Sequence, residues 1–127
     1  MDEIRIDTTA LVVLVTGDRE WNDLETMVRE LETLPPNTIL IHGDCRGADK
    51  MAGLIGDELG LTVVPVPADW IQYGKSAGPI RNRKMYDTYK PTLVLAFHKN
   101  INQSSGTRDM MNYAKSKGCT DIRLITR

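Results

Sequence analysis

The chain has 127 residues, 41% of them hydrophobic, and a formal net charge of −1. That length and composition fit one domain with a packed core and exclude a disordered chain. The balanced charge provides no global field toward nucleic acid or a membrane surface, so any anion site has to be local.

Residues 1–9 read as a loose tail or an extra edge strand ahead of a single domain over 10–127. ALVVLV (10–15) is short, β-branched and continuously apolar, the pattern of a strand buried on both faces. TGDREW follows as a loop. Asn22 reads as an N-cap with Glu25 as its capping-box partner. Leu24, Met27, Val28, Leu31 and Leu34 then give one apolar helix face, stopped by Pro35-Pro36-Asn37. TILIH is the second strand and GDCRG its loop. Ala48, Met51, Ala52, Ile55 and Leu59 form the next helix stripe, with Gly60 at C′. LTVVPV is the third strand, followed by a longer loop, PADWIQYGKSAG. Gly78-Pro79 opens a helix carrying Ile80, Met85, Tyr86 and Tyr89. TLVLAF is the fourth strand and HKNINQSSG its loop. A last helix runs from Thr107 to Lys117 and ends at Gly118, and DIRLIT is the fifth strand. Five strands alternating with four helices imply an α/β fold with a mostly parallel sheet and right-handed crossovers.

The longest apolar runs are too short to span a bilayer, and the acidic MDEIRIDTTA does not read as a signal peptide. Cys45 and Cys119 lie far apart with no CxxC pair, which points to a reducing, cytoplasmic setting and no structural zinc. No cluster of His, Cys, Asp and Glu has metal-ligand spacing, and no cofactor is implied.

In an open parallel sheet, ligands bind beyond the carboxyl ends of the strands. The unusual residues of this chain gather in the four loops expected there, whereas the opposite connections, PPN, GL, KP and GCT, are plain turns. Gly43 and Gly47 allow a tight turn and close approach of a ligand. The loop feeds a helix whose first N–H groups lack partners and so attract an anion. Gly17 and the SSGT run (104–107) open helices in the same way.

VTGDREW, IHGDCRGAD, PADWIQYGKSAGPIRNRKM, LVLAF and SSGTRDM together resemble the YspA-like branch of the SLOG (Smf/DprA and lonely-guy) superfamily, from about Leu11 to Thr126. The resemblance implies a Rossmann-like fold and a nucleotide or nucleotide-derived ligand. Some members cleave an N-glycosidic bond; others are thought to sense or bind ligands in bacterial and phage conflict systems. Two positions depart from the pattern. Met110 stands where the hydrolases carry a catalytic glutamate, and methionine cannot move a proton. Hydrolysis is therefore not expected unless Asp109 or Asp69 substitutes. Asp44 stands where similar proteins carry a second glycine. Its carboxylate would repel a phosphate and fits better as an acceptor for ribose hydroxyls or a base N–H.

The candidate ligand contacts are Thr16, Gly17, Asp18 and Arg19 in the first loop, and Gly43, Asp44, Arg46 and Gly47 in the second. Asp69, Trp70, Tyr73 and Lys75 follow in the third, with Arg81, Asn82 and Arg83 just beyond it. His98, Ser104, Ser105, Gly106 and Thr107 close the set. Arg83 is expected to supply counter-charge to the Gly43–Gly47 loop. Trp70 and Tyr73 suit base stacking as well as a lid or subunit contact. Trp21 suits a hydrophobic staple, and His42 a structural role. Cys45 lies near a helix start, where a thiol acidifies, but no histidine pairs with it in the sequence. Met110, Met111 and Tyr113 exceed what one buried helix face needs, which implies a homo-oligomer.

The functional expectation is binding of a nucleotide-derived small molecule, ADP-ribose-like or a cyclic nucleotide. The chain would act as a sensor or by sequestering a signal, in a bacterial or phage conflict system. A nucleotide-sugar or N-glycosidic hydrolase is the alternative. A DNA-processing accessory is a third, against which the near-neutral charge counts.

Overall fold

The computed structural model describes residues 10–126; the tail or edge strand expected over 1–9 lies outside the described residues. The strands are β1 (Val12–Gly17), β2 (Ile39–His42), β3 (Thr62–Pro65), β4 (Leu93–Phe97) and β5 (Ile122–Ile125). All pair in parallel, in the order β3-β2-β1-β4-β5. The helices are α1 (Leu24–Leu31), α2 (Ala48–Glu58), a single turn α3 (Trp70–Tyr73), α4 (Ala77–Tyr89) and α5 (Gly106–Ser116). The α/β sheet read from the sequence is thus observed, and all its pairings are parallel.

The continuous apolar runs work because both faces of the central strands are covered. Val13, Val15, Leu93, Leu95 and Phe97 point to one side and pack with Trp21, Met27, Leu31, Ala48, Ala52 and Ile55 from the α1–α2 layer. Leu14, Ile41 and Val94 point to the other and pack with Met85, Met110 and Ala114 of α4 and α5. Pro65 is tolerated in β3 because that strand lies at the sheet edge.

Local details differ from the sequence reading in three places. Asp23, not Asn22, caps α1: its carboxylate accepts from both the Thr26 N–H (3.1 Å) and the Thr26 hydroxyl (2.7 Å). Thr26 supplies two donors three residues downstream of Asp23, and that decides between the neighbouring candidates. Leu24, Leu59 and Ile80, expected on apolar helix faces, are exposed. Leu24 and Ile80 sit in the first turns of α1 and α4 and Leu59 at the C-cap of α2, beyond the margin of the core. The loop after β3 contains α3, whose N-cap Asp69 accepts from the Gln72 N–H at 3.0 Å.

The chain lays β1, β2 and β3 outward, then returns through α3 and α4 to set β4 on the other side of β1. Strand order therefore reverses between β1 and β4, which leaves a crevice at their carboxyl ends. Gly17 closes β1 there. A Cβ on Gly17 would overlap the Phe97 carbonyl and lie 2.6 Å from Ala48 Cβ, so the residue permits the close approach of α2 to β1. Gly17→Ala is expected to lower stability by about 1–3 kcal/mol in urea unfolding. Gly106→Ala is the comparison, because a Cβ there meets nothing within 4 Å. Equal midpoints for the two variants would remove the packing role assigned to Gly17.

Candidate functional site

The crevice opens into a cleft of about 720 Å³. It draws on all four loops. Gly17, Asp18, Arg19 and Glu20 come from the β1–α1 loop, and Arg46 from the β2–α2 loop. Trp70, Lys75, Gly78, Pro79, Arg81 and Asn82 come from α3, α4 and the turn between them. His98, Ser104, Ser105, Gly106, Thr107 and Asp109 come from the β4–α5 loop and the start of α5. Most of the sequence candidates thus meet in one place. Gly43, Asp44 and Arg46 line a smaller hollow beside it, which Arg19 and Trp70 share. Thr16, Gly47, Asp69, Tyr73 and Arg83 do not line the main cleft.

The β2–α2 loop is organised from within. Asp49, buried in the first turn of α2, accepts from the Gly43 N–H (3.0 Å) and the Cys45 N–H (3.3 Å) through one oxygen. The Asp44 N–H donates to His42 Nδ1 at 2.9 Å, and the Ala48 N–H to the Asp18 carbonyl at 3.0 Å. Four N–H groups that the sequence offers to a phosphate, those of Gly43, Asp44, Cys45 and Ala48, are therefore engaged by the protein itself. Gly47 has φ +79°, and a Cβ there would lie 2.5 Å from the Asp18 carbonyl, so it serves the contact between the first two loops. Asp44 has φ +59°, a left-handed conformation that glycine adopts freely and aspartate tolerates. The Asp44 carboxylate turns to Lys50 at 2.8 Å, which holds it below the usual carboxylate range.

Two arginines divide the work two positions apart, as opposite helix faces require. Arg81 is buried and donates to the Gly43 carbonyl and, through Nε, to Asn82 Oδ1 at 2.9 Å. Its Nη atoms lie 3.7 and 3.8 Å from Cys45 Sγ. Arg83, expected to serve the same loop, points the other way. It bonds the Pro79 carbonyl (2.9 Å) and Asp109 (3.2 Å) and lies 4.9 Å above the Tyr113 ring. Asn82 Nδ2 reaches Asp109 at 3.1 Å, so Arg81, Asn82 and Asp109 link the second loop to α5.

At the start of α5, Ser104 Oγ accepts from the Thr107 N–H at 3.0 Å. Among the described residues nothing accepts from the Ser105 or Gly106 N–H, and both residues face the cleft. Met110 is fully buried in the α4–α5 core layer and does not line the cleft, whereas Asp109 does. Tyr113 bonds Asp87 (2.8 Å) and packs edge-on against Tyr86. Met110 and Tyr113 are thus engaged within the chain, and Met111 is partly exposed.

The remaining candidates fall into place singly. Trp21 is core, edge-on to Phe97 with ring centres 5.5 Å apart. His42 is structural: burial lowers its pKa and keeps it neutral. Trp70 is half-exposed at the cleft wall, with Arg19 5.7 Å from its ring centre. Lys75 is exposed and makes no ion pair or hydrogen bond among the described residues. Arg46 pairs with Glu20 at 2.5 Å, and both side chains are largely exposed. No group of three His, Cys, Asp or Glu among the described residues could hold a metal ion, and no described helix is long and apolar enough to cross a membrane. The sequence reading missed Glu20, Asp49, Gly78 and Pro79, and named Asp109 only as a substitute catalytic carboxylate. The signal for Asp49 lay in the RGAD run, which sets a carboxylate one turn inside a helix, within reach of the loop before it.

Comparison with known proteins now adds to the geometry. The family model described as YspA, cpYpsA-related SLOG family matches residues 11–73. The Gene 61 protein of Mycobacterium phage D29 is 35% identical over 115 residues, covering 84% of this chain and 90% of that protein. The chain belongs to this SLOG family. No solved structure gives a significant match. The family match spans β1 through α3, hence both loops that Asp49 and Gly47 hold together. The SLOG motif HGDCRGAD is, in this chain, a self-bonded turn.

Burial raises the Asp49 carboxyl from 3.8 to about 6, against the opposing pull of the Cys45 and Gly43 donors and of Arg81 and Arg19. The folded chain therefore holds this proton more tightly than the unfolded one. The resulting stabilisation is complete below the unfolded value and is lost as the pH rises through about 6. A shift of this size is worth about 3 kcal/mol. Asp49→Asn keeps an acceptor oxygen and removes the titration. It is expected to flatten the dependence of the urea midpoint on pH between about 4 and 6. An unchanged profile in the variant would exclude Asp49 as its source.

Proposed function

We propose that the β1–β4 cleft binds a nucleotide-derived small molecule, ADP-ribose-like or a cyclic nucleotide, with a phosphate at the start of α5. The observation that carries this reading is the open start of that helix. The Ser105 and Gly106 N–H groups face the cleft without a protein acceptor, beside Lys75, which has no anionic partner among the described residues. A helix start adds its own dipole to such donors. Trp70 offers a flat apolar wall to a base, and Arg19 already lies against that ring. Membership of the SLOG family supports a nucleotide-related ligand. The chain acts as a sensor or by sequestering a signal, and a relative carried by a mycobacteriophage fits a conflict setting.

Binding without hydrolysis is the reading favoured at Met110, because the side chain at the hydrolase glutamate position is inside the core. Asp109, which unlike Asp69 lines the cleft, is bonded by Asn82 and Arg83. Purified protein incubated with AMP is therefore expected to release no adenine by chromatography. Release that disappears in Asp109→Asn would replace this reading with the hydrolase.

Binding itself is tested by native mass spectrometry of the purified protein and by calorimetry with ADP-ribose and cyclic AMP. Gly106→Glu is the sharpest variant, since its side chain enters open space yet puts a carboxylate where the phosphate belongs. It is expected to abolish binding with the melting temperature unchanged. Lys75→Ala should weaken binding by about ten- to a hundredfold, the loss of one charge-assisted hydrogen bond. Wild-type affinity in Gly106→Glu would end the proposal.

A further inference from the structure

Two histidines stand at the carboxyl ends of β2 and β4, the strands on either side of β1, and they differ in one respect. His42 follows Ile41 in β2, and its Nδ1 accepts from the Asp44 N–H at 2.9 Å. His98 follows Phe97 of β4, and its Nδ1 accepts from the Asn100 N–H at 3.0 Å. In each neutral ring the proton is therefore on Nε2. On His42 that atom is closed in by α2: a Cβ on Gly53 would lie 2.7 Å from it. On His98 it faces the cleft. His98 is only 8% exposed, yet among the described residues nothing accepts its Nε2–H.

Across from it stands Asp18. Its Oδ1 accepts from the Glu20 N–H at 2.9 Å, which fixes the carboxylate. Its Oδ2 lies 4.0 Å from His98 Nε2, too far for a hydrogen bond. Both residues are anchored by their backbones, Asp18 N–H to the Phe97 carbonyl (2.8 Å) and His98 N–H to the Ile125 carbonyl (3.0 Å). The result is a donor and an acceptor held a fixed distance apart at the floor of the cleft.

That pair discriminates by chemistry. A phosphate oxygen could accept from Nε2–H but would face the Asp18 carboxylate, a like charge. An ammonium could pair with Asp18 but offers nothing to Nε2–H. A hydroxyl satisfies both: its oxygen accepts from Nε2–H and its proton goes to Oδ2. An oxygen about 2.8 Å from each atom closes the gap at nearly a right angle, which sp³ oxygen accommodates. We infer that Asp18 and His98 form a hydroxyl seat that reads a ribose hydroxyl of the bound ligand and sets its orientation, with the phosphate away from Asp18. This rests on the nucleotide-binding reading of the same cleft. A seat built to hydrogen-bond a hydroxyl rejects the analogue lacking it, because a donor and an acceptor turned from water by the bound ligand are then left unmatched.

The test is calorimetry with AMP, 2′-deoxy-AMP and 3′-deoxy-AMP on the wild type and on His98→Phe, which keeps the ring shape without the donor. One of the deoxy analogues is expected to bind the wild type about ten- to a hundredfold more weakly than AMP, and the difference is expected to vanish in His98→Phe. Equal affinities for all three on the wild type would overturn the hydroxyl seat while leaving nucleotide binding intact. Discrimination that persists in a folded His98→Phe would place the reading group elsewhere and also overturn it. No binding of any of the three would overturn the hydroxyl seat, and the nucleotide reading falls with it if ADP-ribose and cyclic AMP also fail to bind. Should His98→Phe fail to fold, the wild-type series alone decides.

Discussion

The buried Asp49 carboxylate holds the second loop in shape, and the cleft inherits its geometry from that loop. A carboxylate taken out of water is costly unless donors surround it. Here the Gly43 and Cys45 N–H groups point at one oxygen, and Arg81 stands close by. Gly43 has to be glycine for this arrangement, because a Cβ would lie 2.6 Å from Arg81 Nη1 and 2.9 Å from Asp49 Oδ2. Arg81 in turn grips the Gly43 carbonyl and Asn82, and Asn82 bonds Asp109. One side of the cleft is thus fixed to the other by a chain of polar contacts that begins in the turn after β2. Partly satisfied, such a network would weaken the site; satisfied throughout, it rigidifies it.

The same close packing explains why two helix starts of similar sequence behave differently. α2 lies against β1 at Gly17 and Ala48, and this brings the Asp18 carbonyl onto the Ala48 N–H. The first N–H of α2 is taken up by the tight contact that builds the core. α5 begins after a 3-10 turn (Ile101–Gln103), and among the described residues its first N–H, on Gly106, has no acceptor. Glycine-rich turns at both places invite the same reading from sequence. What separates them is whether a carbonyl from the central strand's own loop reaches the helix, which is a matter of strand order.

Much of the fold was legible because β1 and β4 are unbroken apolar runs, and such runs demand cover on both faces. The cleft's location followed from the asymmetry between eventful and plain loops. Side-chain direction was harder. Arg81 and Arg83 look alike in RNRKM, but Arg81 stands one turn before Met85, which is buried, so it shares the inward face. Met110 carried a similar signal, set four residues before the buried Ala114. Reading these as core positions would have turned Arg83 outward and placed Met110 in the core. The left-handed backbone at Asp44 had no signal in this sequence alone, since aspartate does not announce the conformation as glycine does. The choice of Asp23 over Asn22 depended on a second donor in Thr26 that a capping-box pattern does not consider.

The mixed charge of the cleft bears on how it selects. Arg19, Arg46, Lys75 and Arg81 line it together with Asp18, Glu20 and Asp109. Several of these cancel within the protein: Arg46 against Glu20, and Asp109 against Arg83 outside the cleft. Arg19 and Lys75 have no ion pair among the described residues, and Asp18 stands 4.0 Å from His98. Fields from exposed charges fade within about 8 Å at physiological salt, so each of these charges acts locally. A site with uniform positive charge would hold any phosphate in any pose. Opposed charges in one small cleft, on rigid strand ends, favour a ligand that is anionic at one end and neutral, hydroxyl-bearing at the other.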